Sequence, residues 1–273
     1  MSILKTEMRN PASTHMDKMS SEEMARLVIT ANYDAVKAAE AAAPAVAKAI
    51  DAIAEAFEGG HRLIYIGAGT SGRLGVLDAS ECPPTFGAPQ DQVTGIIAGG
   101  KEMMFRAAEN AEDVYENGIK DIHAAGVAAG DVVVGISVAG GASYVIAALE
   151  EAKRLGCVTV GLSSNEGSAV LAASDIPIFT DTGAEVLTGS TRLKAGTAQK
   201  IVLNALTTCA MAKTGKVYEN MMINLKPTNI KLKNRVVRIT SAIIDCDEET
   251  ATKYLEANEW NIRKAVEAAK GTI

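Results

Sequence analysis

Two stretches of the 273-residue chain set hydroxyls, glycines and charges at the starts of expected helices. The first, Gly67-Ala68-Gly69-Thr70-Ser71-Gly72-Arg73, follows an apolar run and formally reads G-x-G-x-x-G. Glycines at such a strand-to-helix turn expose backbone N–H groups, and Thr70 and Ser71 add two hydroxyls; together these suit a phosphate monoester. A dinucleotide site would also need a carboxylate closing the next strand, to hold a ribose. That strand ends Ile96-Ile97-Ala98-Gly99-Gly100, without one, and no Gly-Lys-Ser/Thr follows to make a Walker loop. A tight turn that merely needs glycine is the competing account. The second stretch, Gly183 through Lys200, contains Glu185, Ser190, Arg192 and Lys194. Hydroxyls and cations at a helix start favour an anion, and an ordinary N-cap at Ser190 accounts for the pattern equally well. Glu81 lies in Ser80-Glu81-Cys82-Pro83-Pro84-Thr85, where the double proline is expected to end the preceding helix and stiffen the corner. A carboxylate held there beside a phosphate loop is a candidate acid or base, against the alternative of a solvated surface group. Glu109 and Glu112, three apart on an expected helix, read by spacing as a solvated face.

The elements that position these residues follow from periodicity. Ser20 with Glu23 forms a capping box before Met24, Leu27 and Val28, and an Ala-rich helix is expected from about Ala35 to Phe57, stopped by Gly59-Gly60. Five β-branched runs follow, Leu63–Ile66, Val93–Ala98, Val132–Ile136, Val158–Leu162 and Ile176–Phe179. Each is nearly continuous in apolar residues, as in parallel strands covered on both faces. Helices are expected between them at Glu102–Ala124, Tyr144–Leu155 and Ser168–Ala173, and a long one from about Ser190 to Lys213. The alternation predicts an α/β fold with a doubly wound five-stranded parallel sheet. Ligands should then gather beyond the carboxyl ends of the strands. Asn229–Ala242, Glu248–Glu256 and Ile262–Ala269 read as a small helical bundle of ubiquitin-associated type, here more plausibly a structural cap than a ubiquitin reader. The expected divisions are residues 1–58 (helices packing on the core), 59–215 (the sheet domain) and 216–273 (the bundle).

Composition sets the boundaries. With 33 acidic against 27 basic residues, a formal charge of −6 and 4% aromatics, the chain carries no footprint for nucleic acid. No apolar run suits a membrane span and the polar start is no signal peptide, so a cytoplasmic protein is expected. The scattered Cys82, Cys157, Cys209 and Cys246 form no CxxC and read as reduced thiols; three distant histidines offer no zinc spacing.

Taken together, Arg9-Asn10-Pro11-Ala12-Ser13, Gly67 through Gly87, Ala98-Gly99-Gly100, Ala111-Glu112-Asp113 and Gly183 through Lys200 resemble the bacterial N-acetylmuramic acid 6-phosphate etherases of the sugar isomerase (SIS) superfamily. The resemblance runs from about residue 6 to about 260. It implies a flavodoxin-like SIS fold and a homodimer with active sites near the interface. It also implies cleavage of the D-lactyl ether of a sugar phosphate by elimination and hydration, without metal or organic cofactor. It assigns Glu81 as the acid assisting departure of lactate and Glu112 as the base, roles that could be exchanged, and puts Glu185 where related isomerases have a catalytic Glu. Sugar-phosphate contacts are expected from Gly69, Thr70, Ser71, Gly72, Ser137, Gly140, Ser143, Glu185, Ser190 and Lys194. One loop departs from the family: Ser137-Val138-Ala139-Gly140-Gly141-Ala142-Ser143 keeps Ser137 but has Ala139 and Ala142 where hydroxyls are usual. A regulatory sugar-phosphate sensor and an isomerase of another amino-sugar phosphate are the alternative functions; Glu81 and Glu112 together favour an enzyme.

Overall fold

The computed structural model describes residues 3–107, 110–225, 227 and 229–271. After short 3-10 turns, helices α1 (Ser21–Ala41) and α2 (Ala43–Glu58) lead into β1 (Leu63–Gly67) and α3 (Gly69–Phe86). Next come β2 (Val93–Ile97), α4 (Tyr115–Ala124), β3 (Val132–Ile136), α5 (Ser143–Arg154), β4 (Val158–Ser163), α6 (Ala169–Ala172) and β5 (Ile176–Phe179). Helix α7 (Lys194–Lys213) follows, then α8 (Ile230–Ile244), α9 (Glu248–Ala257) and α10 (Ile262–Lys270).

All five expected strands form, in one parallel sheet of order β2-β1-β3-β4-β5. Leu63 pairs with Val93 on one side and Val132 on the other, and Val132 pairs with Val158. Strands β1 and β3 are buried at every position, which accounts for their unbroken apolar runs. Ile64, Ile66 and Val133 pack under Tyr144, Val145, Ala148 and Leu149 of α5, together with Ile122 of α4.

The chain divides into two compact units. One holds Met1–Ser80 and Asp91–Thr208, the other Glu81–Gln90 and Cys209–Ile273. In the second, Val236, Ile243, Leu255, Ile262 and Val266 form a core of their own with Ile223 and Leu225. Caps at Asn229, Asp247 and Asn261 start its three helices. No helix among the described residues is long and apolar enough to cross a membrane.

Four expected boundaries move. The capping box at Ser20 forms, but α1 continues to Ala41 and the break falls at Ala42, just before Pro44, which suits the first turn of α2. The prolines at 83 and 84 do not end α3; they sit inside it, and it runs one further turn to Phe86. It stops at Gly87, whose φ of +64° lets its N–H return to the carbonyl of Pro83. The helix expected over Glu102–Ala124 is a 3-10 turn at Lys101–Met104, an irregular stretch, and then α4. Glu112 is therefore on a loop and not on a helical face; Glu109 lies outside the described residues. The last long helix begins at Lys194 rather than Ser190.

Candidate active site

The strand order changes direction between β1 and β3, because the chain leaves these neighbours toward opposite edges of the sheet. A crevice opens at such a switch point. Here it holds a cavity of about 330 Å³, lined by Gly69, Thr70 and Ser71 after β1 and by Ser137, Val138, Ala139 and Ala142 after β3. The turn after β1 is tight: a methyl group on Gly72 would lie 2.5 Å from the Gly67 carbonyl oxygen. Gly69, at φ +52°, carries the backbone directly from strand to helix. The first amides of α3 thus face the crevice, as an anion requires. Gly72 itself is buried and supports the turn without lining the cavity.

Both hydroxyls of this loop sit at the cavity, but they differ. Ser71 Oγ donates to Gln199 Oε1 at 3.0 Å, tying the start of α3 to α7. Gln199 is fully buried, and its Nε2 has no partner among the described residues. Its sequence position within a helix carried no chemical signal. Below, Tyr65 and Asn204 donate to the buried Asp78 at 2.9 and 2.6 Å, a second tie between α3 and α7. Burial raises the Asp78 carboxyl above its ordinary range, against the pull of these hydrogen bonds.

Across the crevice, Ser137 Oγ accepts the N–H of Gly140 at 3.1 Å, leaving the Ser137 proton for a ligand. Gly140 is spent inside the loop, where a side chain would strike Ser168. Ala139 and Ala142, the positions without hydroxyls, both line the cavity, whereas Ser143 opens α5 and does not. Ala142 is the N-cap of α5 and offers no side-chain cap. The Tyr144 N–H at that helix start is taken by the backbone carbonyl of Glu112 at 3.0 Å. This bond pins the Glu112 loop to the start of α5, and the Glu112 side chain lines the crevice.

Glu112 also lines a second cavity of about 400 Å³, together with Ala68, Gly69, Arg73 and Arg106. Arg73 donates from Nε to the Met104 carbonyl and from Nη2 to that of Arg106, at 3.1 and 2.6 Å, which fastens this wall. Neither arginine is marked by the sequence, since Arg106 reaches the site only because the expected helix there is a loop. Glu7 also lines the first cavity, from the 3-10 turn Lys5–Glu7. Its 3-10 turn is held by Asn165 donating to Thr6 at 3.0 Å and by the Lys5–Asp181 pair. A carboxylate acceptor there suits sugar hydroxyl or amide donors rather than phosphate.

The remaining expected residues lie elsewhere. Glu81 is exposed on α3 and lines neither cavity. Glu185 is fully buried and accepts the N–H groups of Lys194 and Ala195 at 3.2 and 2.9 Å, so its carboxylate caps α7. Burial raises its pKa, opposed by those two bonds and by Lys194. Ser190 falls in the turn before the helix and is not its cap; Lys194, also buried, pairs with Asp34 at 3.0 Å. Among the described residues no three His, Cys, Asp or Glu side chains gather as metal ligands do.

Comparison with known proteins gives this crevice a family. Residues 45–153 match the glucokinase regulatory protein N-terminal SIS domain, residues 100–209 the SIS domain, and residues 241–268 a UBA-like domain. The N-acetylmuramic acid 6-phosphate etherase of Symbiobacterium thermophilum is 50% identical over 265 residues, spanning 97% of this chain and 88% of that protein. The chain belongs to the N-acetylmuramic acid 6-phosphate etherases. The etherase of Pasteurella multocida is 48% identical over 263 residues, covering 96% of this chain and 87% of its own. A phosphoheptose isomerase from Francisella tularensis shares the fold, with a TM-score of 0.52 at 19% identity over 71% of this chain and 100% of that one.

In this etherase-family chain the cap on α7 is open to a direct check. Glu185→Gln keeps the shape and one acceptor oxygen but turns an amide NH2 toward one of the two backbone N–H donors. Loss of that one acceptor is expected to lower stability by roughly 1–2 kcal/mol, or about 2–8 °C in the unfolding midpoint by calorimetry. An unchanged midpoint with lost activity would instead put Glu185 among the reacting groups.

Proposed function

We propose that this protein cleaves the D-lactyl ether of N-acetylmuramic acid 6-phosphate, giving N-acetylglucosamine 6-phosphate and D-lactate, as the names of its relatives indicate. The observation that carries the reading is Glu112, held at the mouth of a crevice that also offers hydroxyls and helix-start amides for a phosphate. The ring-opened sugar has an aldehyde at C1 that acidifies the proton on C2. A carboxylate takes that proton, the C3–oxygen bond breaks, and the lactyl oxygen leaves with a proton from an acid. Water then adds at C3 of the unsaturated aldehyde. The base here is Glu112 and the acid Glu81, both assigned on the family pattern, with geometry supporting Glu112 more directly. No cofactor enters this scheme.

The reading extends to a cytoplasmic homodimer. On α1, Ile29, Tyr33 and Val36 recur at helical spacing and are 68%, 66% and 51% exposed. Such an apolar stripe is ordinarily covered by a partner. Active sites near a shared interface would also enclose Glu81, which a single chain leaves at solvent.

Purified protein is expected to release D-lactate from N-acetylmuramic acid 6-phosphate. Glu81→Gln and Glu112→Gln should each slow it by roughly 10²- to 10⁴-fold while remaining folded, because the amide can neither give nor take the proton. Retention of most of the rate by either variant removes that residue from the mechanism. Light scattering at micromolar concentration should give twice the chain mass; a fully active monomer would refute the dimer. The altered loop supports an anion held by backbone N–H groups and the Ser137 hydroxyl. Ala139→Ser combined with Ala142→Thr should therefore change the affinity for N-acetylmuramic acid 6-phosphate by less than about tenfold, about one hydrogen bond to a charged group. A gain of roughly 10²-fold, two such bonds, would show that the native loop has lost its hold on phosphate.

A further inference from the structure

Two cavities meet at Ala68, Gly69 and Glu112, and their chemistry differs. The first is lined by the hydroxyls of Thr70, Ser71 and Ser137 beside helix-start amides. The second has the guanidinium groups of Arg73 and Arg106 set among methyl groups, those of Ala68, Ala98, Ala107 and Ala111, with the Met103 thioether. Arg73 is committed in part to the carbonyls of Met104 and Arg106. The Arg106 side chain is exposed, with no hydrogen bond or ion pair among the described residues. Accepting the etherase reading, on which this step rests, the substrate carries two anions: a phosphate on C6 and the carboxylate of the lactyl group on C3. The lactyl group is small, one methyl and one carboxylate on a single carbon.

We infer that the second cavity is the lactyl subsite, with Arg106 holding the substrate carboxylate and Arg73 positioning the wall that carries it. A planar guanidinium meets a carboxylate through two parallel N–H···O bonds, and alanine methyls leave room for a methyl beside it. The opposite assignment fits less well: hydroxyls and glycine amides surround a tetrahedral phosphate, whereas the second cavity sets its arginines and Asn110 among alanines that donate nothing, a lining better matched to a planar carboxylate beside a methyl. With phosphate in one cavity and carboxylate in the other, the sugar must span their common rim. That rim is where Glu112 stands, next to the end of the sugar that bears the lactyl oxygen on C3 and the acidic proton on its neighbour C2. Arg106 is then a specificity residue that separates this substrate from its own product, which has the same phosphate and no carboxylate.

Arg106→Gln tests the assignment, with Arg106→Lys beside it. The readouts are kcat/KM for lactate release from N-acetylmuramic acid 6-phosphate and, by calorimetry, the Kd of N-acetylglucosamine 6-phosphate. Loss of a charge-assisted pair should lower kcat/KM roughly 10- to 100-fold in Arg106→Gln, mostly through KM, with partial recovery in Arg106→Lys. The Kd of N-acetylglucosamine 6-phosphate should stay at its wild-type value. Equal weakening of both ligands would place Arg106 on the phosphate and overturn the inference, as would an unchanged kcat/KM. Wild-type protein that binds N-acetylglucosamine 6-phosphate but releases no lactate would bring down the etherase reading and this inference with it. Wild-type turnover with an indifferent Arg106 brings down the inference alone.

Discussion

The site depends on how closely the backbone at the end of β1 approaches the start of α3. A side chain on Gly67 would meet the Gly72 nitrogen at 2.8 Å and the Ile136 carbonyl at 3.1 Å; one on Gly72 would meet the Gly67 oxygen at 2.5 Å. Only two hydrogen atoms in place of two side chains let the helix begin within one residue of the strand. Because it begins there, its first amides overhang the carboxyl edge of the sheet. A longer connection would carry them outward and leave Thr70 and Ser71 in solvent. The parallel pairing of β1 with β3 sets the far wall, so this single close contact determines the width of the crevice. Brändén's rule names the place; these two glycines make it usable.

Buried carboxylates do the fastening. Asp78 ties α3 to β1 and α7 through Tyr65 and Asn204, and Glu185 closes the start of α7. Each is disfavoured by burial and retained by the donors around it, so each resists substitution even where no ligand is touched. Gln199 adds a more pliable tie. With its amide as placed, it accepts the Ser71 proton; turned by 180°, it would donate Nε2–H to Ser71 Oγ and release that proton toward the crevice. The turn exchanges an unpartnered donor for an unpartnered acceptor, so either orientation leaves one amide atom without a partner among the described residues. Ser71 can thereby shift from a structural donor to a ligand donor with no movement of the backbone.

The sheet was legible because a fully covered parallel strand leaves an unmistakable apolar run, and Leu63–Gly67 and Val132–Ile136 fall where such runs predict. The loop Gly67 through Gly72 was legible for the same local reason, since glycine marks what backbone crowding forbids. Helix ends decided by distant partners were not. The start of α7 is displaced from Ser190 to Lys194 by a carboxylate nine residues earlier, and a hydroxyl in the sequence cannot announce that. Pro83 and Pro84 stay helical because they lie in the last turn, where Gly87 takes over the termination. At Glu112 the helix expected over Glu102–Ala124 gives way to a loop, because the chain bends to hand its carbonyl to Tyr144. The same bend brings in Arg106. Spacing on an assumed helix had therefore cast Glu112 as a surface group, and only the family pattern raised it above that. At Glu185 and Lys194 the contacts are those of the frame: one caps a helix and the other pairs with Asp34.

The loop after β3 shows what the loss of two hydroxyls means physically. Ala142 occupies an extended N-cap, φ −63° and ψ 108°, the geometry in which Ser or Thr would close the helix on itself. With alanine there, α5 has no side-chain cap; one of its first amides goes to Glu112, and the Ser143 N–H has no partner among the described residues. An uncapped helix start is unfavourable in isolation and favourable to an incoming anion, because the anion supplies the cap that the sequence omits. On the proposed reading, Ala142 thus gives up a side-chain hydrogen bond and leaves a backbone N–H at the helix start open to the phosphate. That exchange also couples the two halves of the site. An anion at the α5 start would compete for the Tyr144 N–H that anchors Glu112, so how firmly it is held would bear directly on where Glu112 stands.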